Sequence, residues 1–137
     1  MGDVDPVVMS LVQNHTGAPK TAQLVAMRLL QAYGPFTAQN SQQNRDAIIS
    51  NLVWIAGTGI SYDTPRSEGD DTRTQTPNET ISIATGVCRD THTAVAAILS
   101  ALATGAPSNE CVRVISFRNP KESHAYMVYV DPATGRW

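Results

Sequence analysis

The stretch ATGVCRDTHTAVAAILSALATG, residues 84–105, sets a lone cysteine two residues after a glycine and directly before a long, Ala-rich amphipathic run. Within it Ala94, Val95, Ile98, Leu99 and Leu102 recur at helical spacing, and Gly105 supplies a C-terminal stop. The spacing predicts a helix from Cys88 to Thr104. A thiol in the first turn of such a helix faces backbone N–H groups without intrahelical partners and the positive end of the helix dipole, which favours its thiolate. The same N–H groups stabilise an oxyanion formed when the sulfur attacks a carbonyl. An unpaired cysteine is more commonly a small buried residue. Here Gly86, Val87, Arg89 and Asp90 build a tight, polar approach to the helix rather than an apolar pocket. Asp90, an acid in the first turn, is expected to hold that turn by accepting N–H bonds or pairing with an arginine, not to act in catalysis.

Upstream, Thr76, Pro77 and Glu79 form a T-x-x-E capping box with proline at the first helical position, so a short helix is expected to start there and stop at Gly86. Thr21 to Ala32 spaces Leu24, Val25, Met27 and Leu29 for a helix, and Ser41 begins another with Ile48, Ile49, Leu52 and Ile55 on one face. NHTGAPK (14–20), YGPFTAQNSQQN (33–44) and SYDTPRSEGDDTRTQTPN (61–78) read as the connecting loops. Downstream the period changes. CVRVISF (111–117) and HAYMVYV (124–130) are rich in β-branched and aromatic residues, and the turn-like RNPKES between them makes an antiparallel hairpin. DPATGRW (131–137) reads as a second turn with a further strand starting behind it.

The 137 residues make one domain with one core, at 42% hydrophobic and 16% charged residues and a formal net charge of −2. That balance excludes the strongly basic surface expected of a nucleic-acid binder. The opening MGDVDPVVMSLVQ carries acids rather than lysines before a short apolar run, so it does not fit a secretory signal. The longest apolar stretch is too short to span a bilayer, and the default expectation is the cytoplasm unless the N-terminus is a cut boundary. Two cysteines without C-x-x-C give no disulfide framework. Taken as a metal set, Cys88, His92, Cys111 and His124 have spacings of x3, x18 and x12 and lack the short knuckle of structural zinc sites, so no metal or other cofactor is expected.

Of the three histidines, His15 falls in a loop, and His92, one helical turn after Cys88, is expected to pack or to tune the thiol. His124 opens a strand, from which it can point off the sheet face toward the start of a helix packed there. Cys111 reads as a packing residue.

These residues resemble the transglutaminase-like cysteine enzymes, relatives of the papain-type fold that include transglutaminases, peptide N-glycanases and bacterial proteases. The likeness covers about residues 45–137: GISYD, a polar loop, NETISIAT, GVCRD opening the central helix, a strand, then HAYMVYV and the DPATGRW turn. It implies an α+β fold, a central helix with the nucleophilic cysteine at its N-terminus packed on a small antiparallel sheet. It implies Cys88 as nucleophile and His124 as base in acyl transfer on a peptide or protein amide. Tyr62 and Trp54 are the upstream aromatics that would line the acyl site, with core packing the better reading of Trp54.

The resemblance also implies an acid that orients the histidine. Asp131 is the nearest aspartate, yet seven residues of extended strand put it roughly 23 Å from His124 with opposite side-chain parity. A hairpin loop over 131–135 would instead place the partner of His124 near position 142, past Trp137, so the 1–137 domain is expected to comprise a helical part (1–60) and a catalytic core (61–137) cut short at its C-terminal end. Asn119 and Glu122 are further candidates for orienting His124. The missing acid keeps open a second reading, a binding or scaffolding module without chemistry, and an open sheet edge through which a second copy could pair.

Overall fold

A computed structural model describes residues 3–13, 22–69 and 73–103 in full and the backbone of 112–118 and 123–129. The elements are α1 (Pro6–Gln13), α2 (Ala22–Tyr33), α3 (Gln42–Trp54), a π turn (Ile55–Gly59), β1 (Ser61–Tyr62), α4 (Thr64–Glu68), α5 (Pro77–Ile83), β2 (Thr85–Gly86), α6 (Cys88–Leu102), β3 (Val112–Arg118) and β4 (Ser123–Tyr129). The class is α+β, as expected. The expected helix at 88–104 is α6, ending at Leu102 among the described residues, and it buries Ala94, Val95, Ile98, Leu99 and Leu102. Helices α2 and α5 and the antiparallel hairpin β3–β4 all pack against it. The hairpin register runs from Val112 opposite Tyr129 to Arg118 opposite Ser123, within one residue of the expected strands.

Periodicity, not hydrophobicity alone, decides which face is buried. In α2 the buried residues are Ala22, Val25, Ala26 and Leu29, an i, i+3, i+4, i+7 stripe. Leu24 and Met27, expected on that face, lie off it and are 38% and 57% exposed. In α3, Ile48 and Leu52 are buried and Ile49 is not, and Ile55, buried too, falls in the π turn that follows. Ser41 caps α3 by accepting the Asn44 N–H at 3.1 Å. The capping box of α5 forms as read, Thr76 Oγ1 accepting the Glu79 N–H at 3.1 Å. The end of α5 differs from expectation. Ala84 takes the left-handed conformation (φ 53°, ψ 38°), stopping the helix at Ile83, and Thr85–Gly86 become a strand instead of a last turn.

Helix α1 was not anticipated from the sequence. The Asp5 carboxylate starts it by accepting the N–H groups of Val7 (2.9 Å) and Val8 (3.2 Å), and Pro6 fits the first helical position. Asp5 also binds Arg28 Nη2 at 2.9 Å and Nε at 3.1 Å, accepts the Tyr33 hydroxyl at 3.3 Å and donates its own N–H to Asn51 Oδ1 at 2.9 Å. One buried residue thus ties α1 to α2 through its carboxylate and to α3 through its backbone N–H. The Arg28 hydrogen bond holds the carboxylate below the usual carboxylate range, against burial, which pushes the other way; the Val8 and Val7 amides add to the lowering. A lowered folded-state pKa contributes stability that is present above the unfolded value, about 3.9, and is lost as pH falls through the folded value. In urea titrations, the stability gap between the wild type and Asp5→Asn is therefore expected to be full at pH 6 and to shrink below about pH 4. A pH-independent gap would contradict this role.

Candidate active site

The start of α6 is held by a side chain three residues into it. Val87, the N-cap, is extended (φ −92°, ψ 178°) and has no side-chain acceptor to offer the first turn. Asp90 reaches back instead, and its Oδ2 accepts the Val87 N–H at 2.9 Å, half of a capping box. Its Oδ1 accepts the Gln75 N–H at 2.8 Å, and Arg66 Nη1 forms an ion pair with Oδ2. Asp90 is fully buried and the Arg66 side chain is only 10% exposed. The second Arg66 nitrogen donates to the Arg73 carbonyl, which also accepts Arg89 Nη2 at 3.1 Å. Gln75 Nε2 donates to Thr80 Oγ1 (3.2 Å) and the Thr85 carbonyl (3.1 Å), binding the segment before α5 to the strand after it.

Gly86 closes this cluster. A Cβ built there would lie 2.8 Å from Asp90 Cβ and 3.1 Å from Gln75 Nε2, so no side chain fits. The glycine and aspartate of G-V-C-R-D therefore touch, with Cys88 between them at the first position of the helix, half-buried. Both roles expected of Asp90, accepting backbone N–H groups and pairing with an arginine, are realised.

The other wall comes from sequence far upstream. Strand β1 pairs in parallel with β2, Ser61 with Thr85 and Tyr62 with Gly86, through Ser61 N–H to the Ala84 carbonyl (2.9 Å) and Asp63 N–H to the Gly86 carbonyl (3.0 Å). The pairing brings Tyr62 beside Cys88 across a cleft of about 370 Å³ whose lining includes Ala56, Gly57, Ser61 and His92. Tyr62 is 60% exposed and its hydroxyl lies 2.8 Å from Ser67 Oγ of α4. His92 borders the same opening as the thiol, not only a packing interface. Trp54 does not line it: half-buried, it packs against the core, its ring lying where a Cβ on Gly59 would be.

His124 occupies the second position of β4, paired with Phe117, on the hairpin that lies against α6. Asp131, Cys111, Asn119, Glu122 and His15 lie outside the described residues. Sequence reasoning missed Arg66 and Gln75. Asp63 followed by Thr64-Pro65 did carry a helix-start signal for α4, and Asp63 Oδ1 accepts the Arg66 N–H at 3.1 Å. No local pattern marks Gln75.

A family model described as a transglutaminase-like domain matches residues 34–131, most of the chain and every element from α3 to β4. No curated protein matches the chain.

Proposed function

Because the chain belongs to the transglutaminase-like family, we propose that it carries out thiol-dependent acyl transfer on amide bonds, with Cys88 as nucleophile and His124 as its base. The observation that carries this reading is Cys88 at the first position of α6, bordering a cleft, with the strand that bears His124 packed on the same helix. His124 takes the thiol proton as Sγ bonds to the carbonyl carbon, and the positive end of α6 favours the oxyanion. As the C–N bond breaks, the imidazolium returns the proton to the leaving amine. Water or a second amine then attacks the thioester and releases Cys88. Peptidase, amidase and transamidase reactions share these steps, and the substrate is a peptide or protein amide. A third residue orienting His124 would complete the set, and Asp131 remains the nearest aspartate to test.

Alkylation by iodoacetamide, mapped by peptide mass, tests the reading without knowledge of the substrate. At pH 6, Cys88 is expected to react at least about tenfold faster than glutathione, and His124→Ala to remove most of that advantage. A Cys88 no faster than glutathione would overturn the assignment.

A further inference from the structure

The π turn Ile55–Gly59 carries two glycines that are there for opposite reasons. Gly59 is buried, and a Cβ on it would lie 2.9 Å from Trp54 Cζ3 and 3.1 Å from Val12 Cγ1. Core packing therefore excludes a side chain at that position. Gly57 is exposed, does not have a positive φ, and a Cβ built on it meets none of the described residues within 4 Å. Neither backbone conformation nor packing against the described residues asks for glycine there, and glycine in a helical turn is destabilising relative to alanine. Yet Gly57 lines the cleft that holds Cys88.

We propose that Gly57 is the specificity-determining position of the Cys88 cleft, its missing side chain leaving room for an uncharged group on the acyl side of the substrate. The proposal rests on the reading of Cys88 as nucleophile. None of the described residues lining the cleft is Asp, Glu, Lys or Arg. A charged substrate group entering it would shed hydration and find no carboxylate, ammonium or guanidinium among the described lining residues, whereas a neutral group loses little. Ala56 and Thr58, the neighbours of Gly57 in the turn, also line the cleft, so position 57 lies within one continuous stretch of its wall.

The test compares reagents that share one warhead and differ in what is attached: iodoacetamide, iodoacetyl-leucine amide, and the iodoacetyl amides of lysine and glutamate. Rates are read at Cys88 by peptide mass on the full chain. Gly57→Leu is expected to slow iodoacetyl-leucine amide by about tenfold or more while changing the iodoacetamide rate by less than about twofold. Gly57→Ala is expected to give an intermediate loss of about threefold together with a melting temperature raised by about 2–5 °C. In the wild type the leucine reagent should outpace both charged ones by about fivefold or more. Equal slowing of small and large reagents in Gly57→Leu, no slowing of the large one, or equal rates for neutral and charged reagents would each overturn the proposal. Because iodoacetamide reacts with any accessible thiol, the size ratio is readable in a protein that turns over no amide. A slow wild-type reaction with iodoacetamide would count against the acyl-transfer reading alone.

Discussion

Cys88→Ala is expected to abolish cleavage of a pool of quenched fluorescent peptides, a loss of about 10³-fold or more, while changing unfolding stability by less than about 1 kcal/mol. The thiol is half-buried at the first position of α6, so it contributes little packing, and the helix start is held by Asp90 rather than by Cys88. His124→Ala should cost as much, because nucleophile and base act as one unit and neither accelerates the reaction alone. For the same reason the double variant should be no slower than either single one. Turnover surviving in Cys88→Ala, or a double variant far slower than both singles, would show that the chemistry lies elsewhere.

The largest effect on stability is expected at Asp90. Asp90→Ala strands the nearly buried Arg66 guanidinium and leaves the Val87 and Gln75 N–H groups without their acceptor. Breaking a buried ion pair from one side costs about 3–5 kcal/mol, a large part of the stability of a domain this size. Asp90→Asn keeps one acceptor oxygen and is expected to lose less, which provides a measurable variant if alanine prevents folding. Removing the stranded charge as well, in Asp90→Ala with Arg66→Met, should recover more than about 1 kcal/mol relative to the sum of the single changes. Urea unfolding of the wild type, Asp90→Ala, Arg66→Met and the double variant measures this directly, and a cost below about 1 kcal/mol for Asp90→Ala would mean that the cluster does not hold the helix.

What could be read from the sequence was local. The Thr76–Glu79 box, the Ser41 cap and the start of α6 at Cys88 are short-range hydrogen-bonding patterns, and the hairpin announces itself through β-branched runs around a turn. The parts that escaped are set by contacts distant in sequence. Strands β1 and β2 are two residues each and form because 61–62 meet 85–86; so short a pairing leaves no periodicity. The same pairing ended α5 early, at Ala84, and drew part of the polar 61–78 segment into ordered structure. At the site, Cys88 and Tyr62 were both named from sequence and border one cleft, whereas Arg66 and Gln75 gain meaning only through Asp90, 24 and 15 residues away.

The contact between Gly86 and Asp90 changes what the pattern G-x-C-x-D is worth as a search string. Its glycine is there because no Cβ fits against the aspartate, and its aspartate because the first turn needs an acceptor and Arg66 a counter-charge. Neither requirement involves the sulfur. A relative with serine or alanine in place of the cysteine would keep both flanking letters for architectural reasons and would still score well on the pattern. Two of the three fixed letters therefore vouch for the shape of the chain, and a genome scan that treats the whole string as a mark of enzymes will collect inert members alongside active ones.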